Sequence, residues 1–182
     1  GDPMSKVPAD VFEKNSIAHV LITIEPLEKR IDQAAELLRN PPWAFGKVVD
    51  VVMVEYHSAR PDFFPTYQKK MEALAREFPK IQFVHVTAGL MPRDDYPINE
   101  ASWAFGELVL RNCKDKYPIL DWRSLLSTRP DGTSAGRRMV AEFNAYPAGN
   151  PDQTHPNSDF AEERLGRAWL VLMRRLFCAP RK

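Results

Sequence analysis

Val48-Val49-Asp50-Val51-Val52-Met53-Val54-Glu55-Tyr56 holds five valines and a methionine in nine residues. β-Branched side chains pack well on a pleated surface and lose rotamer freedom in a helix. The run is too short and too uniformly apolar to be an amphipathic helix with one wet face. A strand buried on both faces reads this way, and such strands belong to parallel sheets covered by helices. These nine residues therefore predict an α/β architecture.

The flanking sequence follows the same plan. Upstream, Ile17-Ala18-His19-Val20-Leu21-Ile22-Thr23-Ile24 is a second apolar, β-branched run, ended by Pro26. His19 within it reads as a core histidine. Leu27, Ile31, Ala34, Leu37 and Leu38 then repeat at helical spacing, and Asn40-Pro41-Pro42 stops that helix. Downstream, Asp62 is placed to cap a helix with the stripe Phe64, Tyr67, Met71, Leu74, Ala75 and Phe78. Pro65 falls in its first turn, where proline is tolerated, and Pro79 ends it.

Ile81 to Thr87 is a third predicted strand, with His85 in a structural role. Asn99 to Cys113 is a helix carrying Trp103, Leu108 and Leu110 and weakened at Gly106. Tyr117 to Trp122 is a short fourth strand. Ser127 to Pro156 is rich in Gly, Pro, Asn and Asp, with a turn at Arg129-Pro130-Asp131-Gly132. A loop this long in a compact domain is usually functional or disordered, and this one, which ends at His155, is expected to cover a site. Ala161, Leu165, Ala168, Trp169, Leu172, Met173 and Leu176 mark a last helix from Ser158 to Phe177.

Strand and helix alternate, which predicts one α/β domain over residues 1–182 with a mainly parallel sheet between two helical layers. Residues 1–16 form an irregular N-terminal segment of it. Ligands in such sheets bind beyond the carboxyl ends of the strands. Here those ends are Glu25, Glu55 to Arg60, Thr87 to Leu90 and Asp121 to Ser124.

With 25 basic and 24 acidic residues, the formal net charge is +1. This balance gives no reason to expect a nucleic acid or an acidic membrane as partner. No apolar run reaches the roughly 18 residues of a membrane span, and no basic-then-apolar leader opens the chain. The expectation is a soluble protein, cytoplasmic unless a signal peptide has been removed, of unassigned oligomeric state. Cys113 and Cys178 are too few and too far apart for a metal-binding pair, and both read as buried or partly buried thiols. Neither a metal nor another cofactor is expected. Glu55, His57 and Asp62 are possible metal ligands by type, but all lie on one loop, whereas real sites draw on several elements.

The chemistry gathers near the end, in Asn150-Pro151-Asp152-Gln153-Thr154-His155-Pro156-Asn157. A carboxylate three residues before a histidine can reach an imidazole nitrogen, set its tautomer and stabilise its charged form. Asp159, Glu162 and Glu163 at the start of the following helix, and Arg174 and Arg175 at its end, suit the helix dipole.

An Asp-x-x-His block before a final helix resembles the last block of the SGNH hydrolases, the GDSL-type esterases and acyl hydrolases. The strand, loop and turn blocks from about Val48 to Phe177 also fall in that family's order. The resemblance implies a flavodoxin-like α/β/α sandwich and an ester hydrolase. His155 would be the general base and Asp152 its orienting carboxylate, acting on a small acyl or carbohydrate ester. The chain departs from the family in two places. Glu25-Pro26-Leu27, not Gly-Asp-Ser, follows the first predicted strand, and no Gly-x-Asn-Asp occurs. By position Ser58 is the best nucleophile and Ser124 the second, while Glu55, His57 and Arg60 are placed to bind substrate. The alternative is a catalytically degenerate domain of the same kind that binds a ligand or partner without hydrolysis.

Overall fold

The computed structural model describes residues 26–41, 44–56, 58–93, 97–145 and 156–178. The elements are α1 (Leu27–Arg39), β1 (Val51–Val54), α2 (Phe64–Glu77), β2 (Gln82–Val86), α3 (Pro97–Cys113), β3 (Ile119–Leu120) and α4 (Trp122–Ser127). A C-terminal helix follows in three stretches: α5 (Ser158–Phe160), a π-helical turn (Ala161–Leu165) and α6 (Gly166–Cys178). The strands form a small parallel sheet in the order β1-β2-β3. β2 and β3 set His85 opposite Ile119 and Val86 opposite Leu120. The protein is therefore α/β. The predicted strand Ile17–Ile24 lies outside the described residues.

Two compact units divide the chain. The first comprises Gly1–Val52 and Pro65–Gln82. Within it, α1 buries Ile31, Ala35 and Leu38, spaced four and three residues apart, and α2 buries Tyr67, Met71 and Leu74 at the same spacing. Arg39 reaches Glu77 with two hydrogen bonds of 2.6 Å, and Lys70 pairs with Asp32. A 3₁₀ turn, Phe45–Lys47, follows α1. Glycine is needed at its centre, because a Cβ on Gly46 would stand 2.5 Å from the Phe78 ring and 2.8 Å from the Leu38 carbonyl.

The second unit comprises Met53–Phe64 and Phe83–Lys182. One part of its core is aromatic. Tyr56 meets Phe63 edge-on at 5.3 Å between ring centres, and Phe105 packs at 6.1 Å from both Phe63 and Phe64. Another part is the cluster Leu90, Leu126, Ala135, Met139, Val140, Phe143 and Phe160. His85 is buried beside Tyr117, with 4.7 Å between ring centres.

Several sequence expectations need correction. The segment after Ser127 is not simply a cover. Met139, Val140 and Phe143 are core residues, and the backbone is tied down by Met139 N–H to Met91 O at 2.9 Å and Val140 N–H to Leu126 O at 2.8 Å. The fourth strand shrinks to Ile119–Leu120, because Asp121 caps a helix that begins at Trp122. Asp62 does not cap α2; it lies in a 3₁₀ turn, Pro61–Phe63, and pairs with Arg60. On α3 the buried stripe is Asn99, Ser102, Phe105, Gly106, Val109 and Cys113, rather than Trp103, Leu108 and Leu110. Cys113 is buried as expected, whereas Cys178 is exposed.

Candidate functional site at the strand tips

The loop after β1 carries Glu55, Ser58 and Arg60. Glu55 and Arg60 are exposed and Ser58 is half-buried. Arg60 pairs with Asp62 at 3.3 Å, with both side chains about two-thirds or more in solvent. An ion pair that wet contributes little to stability, so the guanidinium is cheap to redirect. Tyr56 between them is buried, and its carbonyl accepts the Gly89 N–H at 3.1 Å. That bond ties the loop after β1 to the loop after β2. His57 lies outside the described residues.

The tips of β2 and β3 meet in a polar cluster centred on Asp121. Its carboxylate accepts the Ser124 hydroxyl at 2.6 Å, the Thr87 hydroxyl at 3.1 Å, and the Ser124 N–H and Arg123 Nε at 3.4 Å. Thr87 Oγ1 in turn accepts the Arg123 N–H at 3.0 Å. Asp and Ser three apart at a helix start are a capping arrangement, which explains why α4 begins here.

Arg123 points inward, and its side chain is only 5% exposed. A buried guanidinium must be paired and hydrogen-bonded to be tolerated. Glu107 supplies a 2.7 Å ion pair, the Trp103 carbonyl accepts at 3.1 Å, and the Trp103 ring centre lies 4.4 Å from the guanidinium carbon. Gly106 makes room, since a Cβ there would stand 2.8 Å from Arg123 Cδ. Nothing in the local sequence marks Arg123 as buried; only the Asp-x-x-Ser spacing hints at the cap beside it.

Asp152 and His155 lie outside the described residues, but the chain that follows them is firmly held. Pro156 bridges to Asn144. Asn157 donates its N–H to Phe143 O at 2.7 Å and its amide Nδ2 to Glu142 O at 2.6 Å. Its Oδ1 accepts the Phe160 N–H at 2.9 Å, capping the C-terminal helix. One turn on, Arg164 donates to the carbonyls of Leu125 and Thr128, and its guanidinium stacks 4.8 Å from the Phe143 ring centre. Trp122 packs edge-on against Phe160, with 5.5 Å between ring centres.

Of the predicted site residues, Glu55, Ser58 and Arg60 share the tip of β1. Ser124 stands at the tip of β3 with its hydroxyl given to a carboxylate. Among the described residues no three His, Cys, Asp or Glu side chains gather as a metal-binding group, and no helix is long and apolar enough to cross a membrane. No family model matches the chain, and neither does any curated protein or solved structure.

Proposed function

We propose that the chain is an SGNH-type ester hydrolase with a three-layer α/β/α sandwich, in which the predicted strand Ile17–Ile24 joins the sheet. His155 is the base, Asp152 orients it, and Ser58 is the nucleophile. Ser58 Oγ attacks the ester carbonyl carbon as its proton passes to His155. The imidazolium then protonates the leaving alcohol, and water hydrolyses the acyl-enzyme by the same route. Glu55, His57 and Arg60 bind the substrate, and backbone N–H groups of the tip loops stabilise the oxyanion.

The observation that carries this reading is the anchoring of Pro156 and Asn157 directly after the Asp-x-x-His block. A general base works only if its ring is positioned, and the bridge at Pro156 and the helix cap at Asn157 stand one and two residues after His155 in the chain.

Hydrolysis of an aryl acetate tests the proposal. Wild type should exceed the buffer rate, and His155→Ala and Ser58→Ala should each lose about 1,000-fold or more of kcat/KM. A wild type no faster than buffer, or variants as fast as wild type, would overturn it. One observation favours the second reading, a binding domain without hydrolysis: the other rim serine, Ser124, is held by Asp121 as a helix cap. A silent wild type that still binds ligand would support that reading.

A further inference from the structure

In the second unit α6 runs beside β3 and α4 and leaves a groove of about 500 Å³ between them. Small-molecule sites occupy roughly 300–1,000 Å³. The groove has two chemically distinct parts. Leu120, Leu125 and Leu172 give it an apolar floor, and Arg164, Arg167 and Arg175 stand along it on the C-terminal helix. Asp121 is the only acid among the lining residues, and its carboxylate is already taken up by Ser124, Thr87 and Arg123. The groove is therefore cationic over an apolar surface.

The three arginines are not equivalent. Arg164 is braced by the carbonyls of Leu125 and Thr128 and by the Phe143 ring. Arg167, three residues on, is exposed and makes no ion pair among the described residues. Residues three apart on a helix are surface neighbours, so these two guanidinium groups serve one end of the groove. Arg175 is two turns further, about 12 Å along the axis. Val171, midway and 52% exposed, forms an apolar lip between them.

We propose that this groove binds a medium-chain aliphatic carboxylate. The head group sits between Arg164 and Arg167, where a guanidinium fork matches a carboxylate. The tail lies over Leu125, Leu120 and Leu172 toward Arg175. Charge selects an anion, and the floor selects an alkyl chain. The site does not depend on hydrolysis, so it stands whether or not the chain cleaves esters.

Decanoate titrated into the full chain below its micelle concentration tests this, read by calorimetry and by amide NMR shifts. Binding should be one-to-one, with shifts confined to β3, α4 and α6. Decanol and butyrate should each bind at least tenfold more weakly, one lacking the charge and the other the tail. Arg167→Gln should weaken decanoate about tenfold, and Arg175→Gln should leave it within about threefold. Both side chains are exposed, so folding is not at stake. Val171→Glu, which puts a like charge on the lip, should also weaken decanoate while sparing decanol. Decanol binding as tightly as decanoate, an inert Arg167→Gln, or shifts centred elsewhere would each overturn the proposal.

Discussion

Arg123 and Gly106 act as one unit. The guanidinium is too costly to bury unpaired, and Glu107 and the Trp103 carbonyl take its Nη1 while Asp121 takes its Nε. Reaching those partners takes the side chain across α3 where a methyl group would otherwise stand. Gly106→Ala should therefore destabilise the protein by about 1–3 kcal/mol, the usual cost of overpacking a filled site. On an exposed helix face the same change would add about 1 kcal/mol of stability. A urea midpoint that rises instead of falling would mean that Arg123 does not cross the helix as described. The same pair holds Asp121 at the tips of β2 and β3, so a change on α3 is felt at the rim of the sheet.

Among the elements, α1 is defined most simply. Pro26 precedes it, Asn40 and Pro41 follow it, and Ile31, Ala35 and Leu38 give it one buried stripe. Its last turn is joined to the last turn of α2 by the Arg39–Glu77 pair. The hydrogen bond from Arg39 holds the Glu77 carboxyl below its ordinary pKa and raises that of Arg39. A depressed carboxyl favours the folded state above the pKa of the unfolded chain and loses that contribution as pH falls through the folded value. Stability should thus drop between neutral pH and pH about 3, and Glu77→Gln should remove part of that drop. Both side chains are about 40% exposed, so the part removed is at most about 1 kcal/mol. Equal acid sensitivity in the variant and wild type, measured by urea unfolding at the two pH values, would count against the pair. The C-terminal helix is less self-sufficient. In α6 only Leu172 is buried, while Leu170, Val171 and Phe177 are exposed, so its amphipathic spacing alone does not say which residues find a partner.

For the molecule as a whole, the segment after α4 matters most. A lid would tolerate truncation of its side chains. A core segment would not, and Phe143 packs against Phe160, with ring centres 5.1 Å apart and planes tilted by 47°, and under the Arg164 guanidinium. Phe143→Ala should cost about 3–5 kcal/mol, the range for deleting a buried aromatic ring. A loss under about 1 kcal/mol in chemical denaturation would return the segment to the status of a surface loop. Because Asn157 bonds to Phe143 O and Glu142 O, this substitution should also loosen the chain next to His155. In that case any esterase activity would fall in step with stability.

The sequence alone determined the α/β class, the span of α1 and the buried stripe of α2. Each depends on the spacing of apolar residues along a few turns or one strand, which backbone geometry converts directly into a face. It also placed Glu55, Ser58 and Arg60 together, since residues five apart after a strand cannot separate far. Only the tertiary structure decided that Arg123 is buried, that Asp121 gathers Thr87 and Ser124, and that a Gly- and Pro-rich segment supplies Met139, Val140 and Phe143 to the core. Apart from the local Asp121–Ser124 cap, those outcomes join residues that lie 14 to 48 positions apart. No local periodicity encodes them, because they follow from which surfaces are left uncovered once the sheet and helices have packed.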